Sequence, residues 1–333
     1  MFFFFFFVLL LLLLNFIYSR DINPDFLSKD LYETVVSFLP SWEANPTPVV
    51  YPYTLKSLPS PVKKLDTYVP LKDGTLPDSY NVSELNPQCT YISKIPDQSN
   101  CASCWAISVA SVLSDRLCLL TNNNVPLSAY ILLSCSNFEY DCVDGGDVVK
   151  AFEYIMENGI PTGSNYDEDV NTCKPYPYPP CSHFLFGTER YLNCESITQQ
   201  KPRCVKKCDK NYDKLYANDL FYCSTPYKIE ADEEEIKKEI YLNGPVVATF
   251  AMWEDFLLYK SGIYSYVDGD FVGYHSVKVI GWGEEDGIKY WLCVNSWNDT
   301  WGENGMFKIV RGGNDGVGFE ENIIAARPRV YDE

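Results

Sequence analysis

Apolar and polar positions follow different rhythms in successive parts of the chain, and each rhythm predicts a different element. Met1 is followed by thirteen apolar residues in a row, then by a short polar stretch ending at Ser19 and Arg20. That run has the length of a signal-peptide core and is short for a membrane span, so residues 1–19 read as a leader that is removed. An amphipathic pattern over 25–39 predicts one helix. It gives way to seven prolines between Pro40 and Pro70, which hold the chain extended. Residues 105–120 are apolar on most faces, the pattern of a helix buried between layers. From Tyr227 onward strands dominate. Residues 245–250 and 290–294 read as strands, and alternation from His275 to Gly283 predicts another that begins at the histidine. The stretch from Gly283 to Gly287 reads as the turn joining the last two.

The chemistry gathers at the start of the buried helix. There the sequence is Gln98-Ser99-Asn100-Cys101-Ala102-Ser103-Cys104-Trp105. Ser103 is a suitable N-cap, which places Cys104 in the first helical turn, where unpaired N–H groups and the helix dipole favour a thiolate. A thiolate attacks carbonyl carbon. Spacing alone leaves open that Cys104 is half of one more disulfide, so its partners decide. The chain has two histidines, His183 and His275. The strand from His275 and the strand ending at Asn295-Ser296-Trp297 are near neighbours in sequence. Pairing them would set Asn295 beside the imidazole and orient it.

Composition narrows the setting. The 333-residue chain carries a net charge of −18, which excludes a nucleic-acid partner or an anionic membrane surface as its target. The acidic run from Glu230 to Glu239 reads as a solvated helix start. All thirteen cysteines lie between Cys89 and Cys293. Behind a leader this predicts a disulfide framework in an oxidising compartment, and setting Cys104 aside leaves an even twelve. Asn81-Val82-Ser83 and Asn298-Asp299-Thr300 are glycosylation sequons.

The motifs around Cys104, His275 and Asn295 resemble those of the papain-like cysteine peptidases, and within them cathepsin B, over about 76–327. Ala102 stands where that family has glycine. The resemblance implies an α+β fold of two lobes, a helical lobe with a central catalytic helix and a β-barrel-like lobe, with the active-site cleft between them. It implies a domain at 76–330 preceded by a propeptide at 20–75 whose extended part lies in the cleft, with cleavage near residues 72–75. By the same resemblance Cys104, His275 and Asn295 are catalytic, Gln98 supplies an oxyanion donor, and Gly145 and Gly146 line the non-primed cleft. Trp297 shields the His275–Asn295 hydrogen bond. The segment 127–135 matches the family's second helix. No cofactor and no metal are expected. The expected partners are peptide or protein substrates, the chain's own propeptide as inhibitor, and cystatin-type inhibitors, and the address is a lysosome or the extracellular space.

From Cys104 to His275 is a span of 171 residues, longer than the general signature, and the excess falls in 173–208. That stretch resembles the occluding loop of cathepsin B, which closes the primed end of the cleft. The family places two consecutive histidines there, whereas this chain reads Cys181-Ser182-His183-Phe184, with Asp97 at the position of the loop-anchoring aspartate. Weakened dipeptidyl-carboxypeptidase activity follows. The disulfides implied are Cys89–Cys118, Cys101–Cys142, Cys135–Cys204, Cys173–Cys208 and Cys181–Cys194. They leave Cys223 and Cys293, the latter equally readable as a core thiol or as bonded. At the floor of the second subsite the resemblance places Asn322 instead of glutamate, with Glu320 or Glu321 as alternatives one or two residues away. A catalytically silent binding protein and a cysteine acyltransferase are the other classes these residues leave open.

Overall fold

The computed structural model describes residues 29–38, 41–49, 54–64, 75–137, 139–168, 170–184, 190–198, 200–312 and 316–330. The expected leader at 1–19, the first turn of the helix expected at 25–39, and the cleavage stretch at 72–74 lie outside them. In chain order the helices are α1 (Lys29–Ser37), α2 (Val82–Leu85), α3 (Cys104–Thr121), α4 (Ala129–Cys135), α5 (Val148–Asn158) and α6 (Glu233–Asn243). The strands are β1 (Trp42–Ala44), β2 (Tyr80–Asn81), β3 (Tyr222–Cys223), β4 (Tyr227–Lys228), β5 (Val246–Trp253), β6 (Tyr259–Tyr264), β7 (Phe271–Glu285), β8 (Ile288–Val294), β9 (Met306–Val310), β10 (Ile323–Ala325) and β11 (Pro328–Arg329).

The main sheet runs β1-β6-β9-β8-β7-β5-β10-β4, with β2 added to β7, and β11 pairs β3 separately. Two apolar cores flank a shared wall, as the two-lobed expectation requires. One gathers Val246, Ala248, Phe250, Val277, Val279, Trp297 and Phe307. The other gathers Trp105, Val109, Leu113, Ile131, Phe152, Val247 and Ile324. Period-two alternation builds that wall, since Val246 and Val247 on β5, or Ile323 and Ile324 on β10, face opposite cores.

The α3 helix is the axis of the helical lobe. Fourteen of its residues are buried, and each large apolar side chain among them contributes about 1.5–3 kcal/mol to that lobe's cohesion. It spans Cys104–Thr121 and stops where Asn122 turns left-handed with φ 58°. Ser103 stands at the N-cap, but its hydroxyl makes no capping bond. It lies instead 2.6 Å from the Tyr176 hydroxyl. On α6, Asp232 caps through the Glu234 and Glu235 N–H groups as the acidic run suggests, yet Glu239 is 6% exposed and far from a solvated position.

β7 begins at Phe271, four residues before the histidine, because it extends along the whole of β5. The turn to β8 is also tighter than the sequence suggests. Only Asp286 and Gly287 lie outside the strands, at φ 50° and 79°, the two-residue geometry that matches strand twist. All five disulfides occur in the pairing the resemblance implies. Cys104, Cys223 and Cys293 are free and buried, which settles Cys293 as a core thiol.

Candidate active site

Two elements from opposite lobes bring the expected residues together. Cys104 opens α3, and β7 carries His275 and Ser276. The Ser276 backbone hydrogen-bonds the Cys104 sulfur, which sets the sulfur beside the histidine's own backbone. Asn295 follows directly on β8, the strand paired with β7. Its Oδ1 lies 2.8 Å from His275 Nε2 and also accepts the Ser296 N–H at 2.8 Å. The second bond identifies that end of the amide as the acceptor, so Nε2 carries the proton and donates. Nδ1, buried and without a hydrogen-bond partner among the described residues, keeps its lone pair for a proton taken from elsewhere. Trp297 is fully buried and stacks on the imidazole with ring centroids 4.9 Å apart, which keeps water off the His275–Asn295 bond.

Gln98 is oriented from both ends. Its Nε2 donates to the Cys101 carbonyl at 2.9 Å, and its Oε1 accepts from the Ser296 hydroxyl at 2.7 Å. Its backbone N–H bonds the Ser296 carbonyl at 2.8 Å, across the lobes. The Tyr176 hydroxyl donates to the Gln98 carbonyl at 2.8 Å. Ser296 and Tyr176 thus hold the Gln98 loop, and neither was singled out from sequence. Ser296 was readable, since it directly follows Asn295. Tyr176 was one of several tyrosines in a Pro-Tyr-rich stretch.

The N-terminal segment lies across this site. Leu55 forms a two-bond antiparallel bridge with Tyr274, the residue before His275, at 2.7 and 2.9 Å. Its side chain is 1% exposed and belongs to the same apolar cluster as Cys101 and Cys104. A Cβ at Gly145, where φ is +75°, would fall 2.5 Å from Leu55 Cδ2, so that glycine admits the close approach. At Gly146 the close neighbour is the Trp105 ring, 2.4 Å from where a Cβ would fall. Upstream, β1 pairs with β6 and Val49 with Phe184. Downstream, the Ser60 N–H bonds Asp147, and Lys64 pairs with Glu230.

Both Cys104 and His275 are fully buried in this form, and burial shifts both groups. The Cys104 thiol is pushed up to about 12 by desolvation, against the backbone hydrogen bonds of Ser276, Trp105 and Cys104 that oppose it. Desolvation drives His275 down to about 4, with the Asn295 hydrogen bond pulling the other way. The sequence argument for a thiolate at the helix start is therefore corrected for this form. Loss of water works against the helix terminus and disfavours the charged form of both groups.

His183 is 2% exposed. Its Nε2 lies 3.0 Å from Asp97 Oδ1, as the anchoring role of Asp97 predicts. Asp97 also accepts the Ser99 and Cys181 N–H groups. Asn298 Nδ2 donates to Asp97 Oδ2 and to the Cys181 carbonyl, both at 2.7 Å, so this sequon asparagine is a buried internal strut. Cys181, His183 and Cys194 bring three donor atoms within 4.8 Å, but the two sulfurs are joined to each other and carry no thiolate charge for a metal. Glu320 is removed as a subsite candidate: its Oε1 accepts the Trp291 indole N–H at 2.9 Å and the Gly312 N–H at 2.8 Å. Asn322 is half-buried at the end of the same short turn, and Glu321 is exposed.

Residues 76–327 match the family described as papain family cysteine protease. The chain is 42% identical over 262 residues to cathepsin B-like cysteine proteinase 6 of Caenorhabditis elegans, covering 78% of this chain and 68% of that protein. It is also 42% identical over 253 residues to cathepsin B-like cysteine proteinase 1 of Ostertagia ostertagi, at 75% and 72% coverage. Among solved structures, procathepsin B S9 from Trypanosoma congolense superposes with a TM-score of 0.73 at 30% identity, over 90% of this chain and 96% of that one. Digestive procathepsin L 3 of Tenebrio molitor shares the fold, with a TM-score of 0.60 at 20% identity, over 89% of this chain and 86% of that one. The chain belongs to the papain family of cysteine proteases, in its cathepsin B-like branch.

Proposed function

We propose that the chain is the zymogen of a secretory-pathway endopeptidase, with residues 20–75 as propeptide and 76–330 as the enzyme. The observation that carries this reading is the chain of contacts Cys104–Ser276, His275–Asn295 and Trp297 over the imidazole. Once the segment around Leu55 leaves, water returns and the penalty that keeps the pair neutral falls. Cys104 then gives its proton to His275 Nδ1, and the thiolate attacks the scissile carbonyl. His275 protonates the leaving amine, and water, activated by the same ring, releases the acyl group. The Cys104 N–H and the Gln98 side-chain amide stabilise the developing oxyanion. Gln98→Ala lowers the rate by about 10²–10³.

The primed end supports an endopeptidase. With His183 buried on Asp97 and Phe184 next to it, the insert offers no second imidazole to a substrate's terminal carboxylate. Amidating the C-terminus of a peptide substrate therefore leaves its cleavage undiminished, whereas marked preference for the free acid overturns this point. At the second subsite Asn322 in place of an acid favours an apolar or aromatic residue over arginine. The leader and five disulfides suit a lysosomal or extracellular address, and cystatin-type inhibitors are the expected regulators after processing. The deciding experiment is covalent labelling of processed protein with an epoxysuccinyl inhibitor. Labelling that disappears in Cys104→Ala is expected. No labelling of the wild type would leave a silent binding protein as the reading.

A further inference from the structure

Four buried charges between the lobes have no part in the chemistry above. Asp115 and Arg116 are consecutive on α3, 0% and 2% exposed. Asp115 Oδ2 lies 2.7 Å from Lys278 Nζ on β7, and both side chains are at most 2% exposed. Lys278 also donates to the Tyr91 carbonyl at 3.1 Å. Arg116 reaches a different element, bonding Glu239 of α6 at 2.9 Å and the Tyr227 hydroxyl at 3.0 Å. It also donates to the Pro245 carbonyl at 2.7 Å, just before β5. The helix thus presents minus then plus, and the other side replies with plus from β7 and minus from α6.

Cohesion alone does not call for this arrangement. Apolar residues of similar volume often hold a buried interface as firmly as an ion pair does, because each charge must first lose its water. Desolvation pushes the Asp115 carboxyl up and the Lys278 ammonium down, and each is the other's main counterweight. What a charge pair adds is selectivity of register. Apolar ridges can slip past one another by a fraction of a turn. A crossed set of opposite charges is satisfied at one setting, and a slip or rotation of α3 leaves buried charges unpaired. Of the elements so registered, α3 and β7 are the ones that carry the site. Asp115 lies eleven residues, about 16 Å along the helix, beyond Cys104, and Lys278 lies three residues beyond His275.

We propose that Asp115, Arg116, Lys278 and Glu239 form a crossed charge clamp that registers α3 against β7 and α6, with Asp115 and Lys278 as the positioning residues for the Cys104–His275 pair. The proposal rests on the peptidase reading above. Its test uses processed enzyme and three readouts: the unfolding midpoint, kcat and KM on a peptide amide, and the rate at which iodoacetamide alkylates Cys104. Lys278→Met strands Asp115 and lowers both midpoint and kcat. The informative variant is the double substitution Asp115→Leu with Lys278→Met. It regains the wild-type midpoint, yet keeps a loss of about 10²-fold in kcat with KM little changed, and its alkylation slows in parallel. Recovery of kcat and alkylation together with the midpoint overturns the clamp. Should the double variant fail to fold, Asp115→Glu keeps the charge and adds one methylene. A wild-type midpoint with reduced kcat and slowed alkylation supports the proposal, and unchanged kcat and alkylation overturn it. Absent peptidase activity in the wild type counts against the peptidase reading alone, since alkylation still reports the registration of the thiol.

Discussion

The chain's two histidines make a controlled comparison. Both are buried, both leave Nδ1 without a partner among the described residues, and both lie against Trp297, at 4.9 Å for His275 and 6.1 Å for His183. They differ in what holds Nε2. His275 is held by a neutral amide, Asn295, and His183 by a carboxylate, Asp97. An amide fixes a ring in place without fixing its charge, so the ring can take and return a proton. A carboxylate that also gathers donors from three other residues ties the ring into a network and turns it into a fastening. The second partner set reinforces the contrast: Asp97 also gathers the Ser99, Cys181 and Asn298 donors, whereas among the described residues Asn295 Oδ1 adds the neighbouring Ser296 N–H.

The sharpest way to break the comparison is to remove each ring in turn. His275→Gln lowers kcat of the processed enzyme by about 10²–10⁴-fold, while the unfolding midpoint stays close to wild type. Comparable activity in that variant would leave the two rings without a functional difference. A large but thermodynamic effect comes next. His275 is depressed to about 4 in the covered form, so between its unfolded value near 6.5 and that value the unfolded chain binds the extra proton. Stability present above pH 6.5 is therefore lost as pH falls toward 4, by about 3 kcal/mol. Asp255, pushed up to about 6 by burial, has the opposite sign, its folded form gaining protons first as pH falls. In the unprocessed protein, acid unfolding should become steeper in Asp255→Asn and shallower in His275→Gln.

His183→Gln comes third. It leaves Asp97 short of a buried partner, at about 1–3 kcal/mol, and exposes the insert to limited proteolysis, while kcat on interior peptide bonds changes by less than tenfold. The smallest effect exchanges the partners. Asn295→Asp gives His275 the kind of neighbour His183 has, and the alkaline limb of the kcat/KM profile moves to higher pH. A limb that stays in place would show that the amide does no more than hold the ring.

How much of this could be read from the sequence depends on distance along the chain. Cys104 stands in a continuous motif, and Asn295 ends a strand joined to the histidine's strand by a short turn, so local pattern sufficed to anticipate that the three residues lie together. The disulfide pairing came through the resemblance, since spacing alone does not choose among pairings. The clamp was hidden because Asp115 and Lys278 are 163 residues apart. One sits in what reads as an apolar helix, and the other in what reads as an alternating strand. Glu239 was lost in an acidic run whose first residues really are solvated. Leu55 is one of several apolar residues between prolines, and only the bridge to Tyr274 singles it out. The upward push of burial on the Cys104 thiol could not be foreseen from a helix start, because it depends on how fully the sulfur is desolvated.

Asn298 has one further consequence. The nitrogen that would bear a sugar is the atom that donates to Asp97 and to the Cys181 carbonyl, and the Thr300 hydroxyl that completes the sequon is turned onto Asn298 Oδ1 at 2.6 Å. Carbohydrate attachment replaces one of the two hydrogens that native closure of the insert uses. A glycan at Asn298 would cost the insert one of these two bonds, so the expected outcome is that folded protein carries this acceptor bare.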